Sequence, residues 1–306
     1  MRLQIFILLL ILQATQVASA QDSTYQLGKK IIVLKEVVLN NKLNVPAFIN
    51  QIKSDSTFYK AFRNLHLINF SSINDIRMMN KKGEAIATLY SKSNQIRTGN
   101  CRSMQVTEET STGDFYNDDG SYNYYTANMY ASLFFTKGSV CGEDNIVTGR
   151  AFSTSGKSGM EKHKEQLKML FFNPGRKISG LPFMSSKTAI YDDEIADAYD
   201  MSIDMEEYNK ISCYVFRQKV IPGKEGEVVV DEMTTWFDDQ TMEVVARNYS
   251  LSYDAAVYDF KVQMEVKMTH VGTFLVPELI RYNGNWKAIF KKRERGIFTA
   301  TLYGFK

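Results

Sequence analysis

Histidine, cysteine and proline are scarce in this chain of 306 residues: three, three and five. His66, His163 and His270 lie far apart, and Cys101, Cys141 and Cys213 show no paired spacing, so no zinc pattern is present. Few prolines and 18 glycines exclude a collagen-like or low-complexity chain. Neither charge sign is in excess: 37 basic and 34 acidic residues leave +3, too balanced for a nucleic-acid binder. Beyond the amino terminus no apolar run approaches the roughly 20 residues that a spanning helix needs. Aromatic residues, by contrast, are plentiful at 12%, with 17 Tyr and 19 Phe, which favours strands and aromatic-lined surfaces over a helical bundle. With 44% hydrophobic and 23% charged residues, the chain has the composition of a globular protein able to bury a sizeable core.

Met1 to Ala20 reads as a secretory signal peptide. Arg2 is the positive region, Ile5 to Leu12 the apolar run, and Ala18-Ser19-Ala20 the cleavage site. No cysteine follows the run, so no lipoprotein anchor is expected. The expected location is the periplasm or outside the cell. In such a compartment Cys101 and Cys141 are the natural disulfide pair, leaving Cys213 over; three reduced, buried thiols are the alternative.

Residues 21–44 are expected as an amino-terminal extension and 45–306 as a single domain. Asn44 and Pro46 open a helix that breaks near Asp55, which caps a second segment. Strands and turns follow. In the run Tyr122–Phe135 one face is aliphatic and the other carries tyrosines, which reads as a strand. A helix is expected over Met160–Phe172, ended by Asn173-Pro174-Gly175. From Met201 onward the pattern is strand throughout. Tyr258, Phe260, Val262, Met264 and Val266 alternate with polar residues, and Asn283-Gly284 marks a two-residue hairpin turn. The order suggests an α+β fold: a large curved antiparallel sheet with helices on one face.

No constellation names a reaction, and no cofactor or metal is implied. Gly156-Lys157-Ser158 falls short of a phosphate loop, because Ala151 stands where the first glycine belongs. A serine nucleophile lacks its Gly-x-Ser-x-Gly elbow. His163 lies on an apolar helical stripe and reads as a structural imidazole. The acidic residues between Asp192 and Glu207 lack the ordered glycine-containing loop of a calcium site and read as a solvated face. Lys291, Lys292, Arg293 and Arg295, with Lys287, form a basic cluster. It reads as edge protection, a nucleic-acid patch, or a docking patch for an anionic membrane surface or acidic partner.

From about His163 onward the pattern resembles the periplasmic lipoprotein carriers of the LolA/LolB superfamily. The residues concerned include Phe171-Phe172-Asn173-Pro174, Tyr199-Asp200-Met201, Ile211 to Phe216, Thr235-Trp236-Phe237-Asp238 and Leu275-Val276-Pro277. Asn100-Cys101-Arg102, Val140-Cys141-Gly142-Glu143 and Asn285-Trp286-Lys287 also look like those of a family of exported Bacteroidota proteins. The resemblance implies a half-open β-barrel whose concave face, lidded by helices, shelters an apolar ligand: an acyl chain, a lipid or a lipidated protein. Tyr258, Phe260, Val262, Met264, Val266 and Phe171 would line that cavity, and methionine suits varied shapes. A packed core is the plainer reading of the same face. The preferred function is thus a non-enzymatic binder. The alternatives are a module binding glycan or peptide through Tyr122, Tyr124 and Tyr130, or an unrecognised hydrolase.

Overall fold

The computed structural model describes residues 23–35, 38, 43–146, 168–178, 184, 186–254, 258–288 and 292–306. The expected signal segment, the 153–159 loop, His163 and Lys291 lie outside the described residues.

The chain begins with β1 (Ser23–Leu27) and β2 (Lys30–Leu34), then helices α1 (Val45–Ser54) and α2 (Thr57–Asn64). Next come β3 (Phe70–Met79), β4 (Ala85–Thr98), β5 (Cys101–Thr112), helix α3 (Tyr125–Phe134) and β6 (Ser139–Cys141). The one-turn helix α4 (Asp193–Ala196) precedes β7 (Tyr199–Tyr208), β8 (Ile211–Val220), β9 (Val230–Asp238) and β10 (Val244–Asp254). The last strands are β11 (Tyr258–Val271), β12 (Phe274–Ala288) and β13 (Glu294–Tyr303). All thirteen form one open sheet, in the order β1-β2-β7-β8-β9-β10-β11-β12-β13-β3-β4-β5-β6. Every pairing is antiparallel except β2 with β7. The fold is therefore the expected α+β curved sheet with helices against one face.

Alternation decides which face the helices cover. Along β11, Phe260, Val262, Met264, Val266 and Met268 are buried, whereas Lys261 and Gln263 are exposed. In α1, Val45, Phe48, Ile49 and Ile52 fall on one helical stripe and are buried. The Phe48 ring lies 5.2 Å from Phe237 of β9 and 5.9 Å from Tyr214 of β8. Asn44 Oδ1 accepts the Ala47 amide at 3.1 Å and caps α1 as expected. The N-cap of α2 is Ser56 rather than Asp55, whose Oδ1 accepts the Thr57 amide at 2.8 Å from one residue earlier. Phe58 of α2 packs edge-on against Tyr249 of β10, and Tyr130 of α3 lies 4.4 Å from Phe298 of β13.

The expected amino-terminal extension joins the sheet, and two other expectations, for Tyr122–Phe135 and Asn283-Gly284, are corrected. Residues 21–44 contain two strands of the sheet itself: the β2 residues Ile32 and Leu34 alternate inward and are buried beside β7. Tyr122–Phe135 is not a strand, because residues 125–134 form α3. Its first amides are satisfied by Glu294 of β13, whose carboxylate accepts from Tyr125 N at 2.8 Å and Thr126 N at 2.7 Å. Asn283-Gly284 is no turn but lies inside β12. Glycine is required there by close approach: a Cβ on Gly284 would lie 1.9 Å from the Tyr282 hydroxyl oxygen. Of the expected 160–172 helix, residues 168–172 are described, and they are helical.

Candidate functional site

Phe260, Val262, Met264, Val266 and Phe171 belong to one buried cluster under the helices, as both the cavity and the packed-core readings require. Among the described residues, the inner-face void that Met264 and Phe171 line measures about 10 Å³. Its walls are Met129, Tyr130 and Leu133 of α3, Phe171 and Phe172, and Met264, Tyr282 and Phe298 of the sheet. The side chain of Tyr258 lies outside the described residues.

A larger space opens directly beside this void. A cleft of about 210 Å³ lies between α2, α3 and residues 168–172. Tyr59, Phe62 and Leu65 from the α2 region, Leu133 and Phe134 from α3, and Phe172 make its apolar wall. Its rim carries Arg63, His66, Glu143 and Lys168. Leu133 and Phe172 line both spaces, so these two side chains form the partition between the cleft and the inner sheet face. Phe172 is held edge-on by Phe62, at 4.6 Å between centroids, and by Phe134 at 6.0 Å.

The disulfide organises the rim. Cys101 and Cys141 are directly opposed on β5 and β6 and are bonded, while Cys213 is free and buried. Arg102 and Glu143 follow the two half-cystines closely and meet across the strand pair. Arg102 donates from both Nε and Nη2 to the Glu143 carboxylate. Glu143 Oε1 also pairs with His66 Nδ1 at 3.0 Å. Arg102 further reaches Gln95 Oε1 at 3.2 Å, and Gln95 Nε2 donates to the carbonyls of Leu65 at 2.6 Å and Ile68 at 2.8 Å. Next to this, Arg63 of α2 pairs with Asp144 at 3.1 Å. One network thus ties the disulfide to the end of α2 and to the mouth of the cleft.

Burial alone pushes the Glu143 carboxyl up, but the hydrogen bonds and charges of His66 and Arg102 outweigh it and hold it down at about 2. An ordinary glutamate titrates near 4.3. A carboxylate lowered by folding contributes its full stabilisation above the ordinary value and loses it as pH falls toward the folded value. Solvent at the rim screens part of this, so between about pH 5 and 2 the wild type should lose roughly 1–2 kcal/mol more than Glu143→Gln. Urea denaturation of both proteins across that range measures the difference; parallel pH curves would count against the network.

The tyrosines expected to act together are separated. Tyr130 is buried, and its hydroxyl donates to Asn74 Oδ1 at 2.5 Å. Tyr122 and Tyr124 are half-buried and cluster with Phe115, 6.0 and 6.2 Å from its ring. Of the basic cluster, Arg293 is engaged by Asp259 and by Asn285 Oδ1 at 2.9 Å, while Lys292 is exposed. On the outer sheet face a trough of about 520 Å³ is lined by polar side chains such as Asn248, Gln263 and Asn283, and its Glu265 and Arg281 pair with each other at 2.9 Å.

Sequence reasoning missed the cleft because its walls come from residues far apart in the chain. The available signals were the proximity of Arg102 to Cys101 and of Glu143 to Cys141. Once those cysteines pair, the two charges must meet.

Compared with protein-family models and with curated proteins, the sequence matches none. Two solved structures share parts of its course. A DUF1329 family protein from Desulfovibrio piger is 11% identical, with 82% of this chain and 93% of that chain covered and a TM-score of 0.24. A domain from Vibrio parahaemolyticus, described as an outer membrane lipoprotein-sorting protein, is 8% identical, with 80% and 88% covered and a TM-score of 0.25. The second is of the kind the sequence resembles. Likeness this distant carries no inference about this chain, so the cleft has to be read from its own residues.

Proposed function

We propose that this protein is an exported, non-enzymatic binder of an amphiphile, such as a lipid or the acyl chain of a lipidated protein. The apolar tail lies between α2, α3 and residues 168–172, and the polar end stays at the His66–Glu143 rim. The observation that supports this is the partition. An apolar cleft with a charged mouth and the void on the inner sheet face share Leu133 and Phe172 as walls among the described residues. At about 210 Å³ the cleft is smaller than the roughly 300–1,000 Å³ usual for small-molecule sites. A long chain therefore enters only when Leu133 and Phe172 turn aside and join the cleft to the void beside Met264. The disulfide supports export to an oxidising compartment. Cleavage after Ala20 is part of the same reading.

Leu133→Trp fills the cleft and should weaken binding of a fluorescent fatty acid by about tenfold or more, about 1.4 kcal/mol. Phe172→Ala should admit longer chains. A Leu133→Trp protein that melts like the wild type and binds the probe equally well would refute the proposal. A hydrolase reading has one observation in its favour, since Ser132, His66 and Glu143 all line the cleft. The Ser132 hydroxyl, however, donates to the Met129 carbonyl of its own helix at 2.7 Å. Ser132→Ala should leave probe binding intact, and ester turnover lost in that variant alone would favour the hydrolase.

A further inference from the structure

At the other end of α3, about 15 Å from the cleft along its 10 residues, lies a groove of about 550 Å³. Its walls are Tyr124 and Tyr125, Met79 and Ile86 from the ends of β3 and β4, Asp114, and residues 292–295. Both lining carboxylates are engaged. Glu294 caps α3, and Asp114 accepts the Tyr124 hydroxyl at 3.0 Å and the Asn123 amide at 3.2 Å. Arg293 is held by Asp259. The side chains of Lys292 and Arg295 make no hydrogen bond or ion pair with any described residue. The turn that joins Met79 to Ile86 adds Lys81 and Lys82, both exposed, with ammonium groups equally unpaired among the described residues. Ile86 itself is 47% exposed on the groove wall.

Four uncommitted cations, two on the β3–β4 turn and two at and just before the start of β13, therefore lie near an exposed apolar residue at one end of the sheet. A small soluble anion would be met by cations converging on one point and would gain nothing from Ile86. A bilayer surface uses both: phosphates meet dispersed lysines and arginines, and an apolar side chain enters the headgroup boundary. We propose that this end of the molecule docks on an anionic phospholipid surface, through Lys81, Lys82, Lys292 and Arg295 around Ile86. The proposal does not depend on what the cleft holds.

The test is co-sedimentation of the full chain with vesicles of phosphatidylglycerol and phosphatidylcholine, against vesicles of phosphatidylcholine alone. The protein should sediment with the mixed vesicles at low salt, much less at high salt, and little with the neutral ones. Each cation at such a surface is worth about fivefold in partitioning, so Lys292→Gln/Arg295→Gln should lose about 25-fold. Lys81→Gln/Lys82→Gln, at two exposed side chains of a turn, should lose as much. Lys210→Gln/Lys219→Gln makes the same change in net charge on β8 and its turn, and should stay within about twofold of the wild type. Absence of binding to the mixed vesicles at low salt would overturn the proposal, as would equal losses in the β8 pair. So would binding of glycerol phosphate, weakened by both groove pairs, in a protein that ignores vesicles; that result would assign a soluble anion instead.

Discussion

Val262→Asp should leave little or no folded protein, whereas Lys261→Asp, one residue away, should change stability by about 0.5 kcal/mol or less. Val262 has no exposed surface and Lys261 points outward. A carboxylate at position 262 faces apolar side chains with no partner for its charge. The cost is several kcal/mol, a large share of the 5–15 kcal/mol that typically holds a domain together. Met264→Ala tests the same face more gently. On the wall of an open cavity the void already exists, so the loss should be nearer 1 kcal/mol. In a filled core, lost burial and a new void together should cost about 2–5 kcal/mol. The inner-face void that Met264 lines among the described residues is about 10 Å³, so the larger loss is expected. Urea denaturation gives the value, and a loss near 1 kcal/mol would mean that the helices cover this face less tightly in solution.

Replacing Cys101 and Cys141 with serine should cost about 4 kcal/mol, because the bond closes a loop with a sequence separation of 40 residues. A second effect should accompany the first. Arg102 and Glu143 sit beside the two half-cystines, so without the bond their contact slackens and Glu143 loses part of what holds its carboxyl down. The stability of the double variant should then fall less steeply than that of the wild type between about pH 5 and 2. Denaturation at neutral and acid pH separates the two effects. Unchanged stability at neutral pH would show that the bond constrains nothing in the unfolded chain. An unchanged acid slope would show that the strand pair alone aligns Arg102 with Glu143.

Where a segment's structure follows from its own residues, the sequence determined it. Asn44, Pro46 and the spacing of Val45, Phe48, Ile49 and Ile52 dictate α1 and its buried stripe. The strict alternation from Phe260 to Met268 dictates a strand and its two faces. The pairing of Cys101 with Cys141 was also legible, because a chain read as exported, with three cysteines, leaves few choices. Tertiary structure decided the rest. Tyr122–Phe135 has the aromatic alternation of a strand, yet a helix forms there. Glu294, 168 residues from Thr126, satisfies the first amides, and Asn74 receives the buried hydroxyl of Tyr130. Gly284 looks like a turn residue until the Tyr282 ring is seen lying over it. The cleft joins α2, α3, Glu143 and residues 168–172, and the groove joins β3, β4, α3 and residues 292–295. Local periodicity records which side of an element is buried. It does not record which distant side chain will meet it, because that contact exists only after the sheet has brought the two segments together.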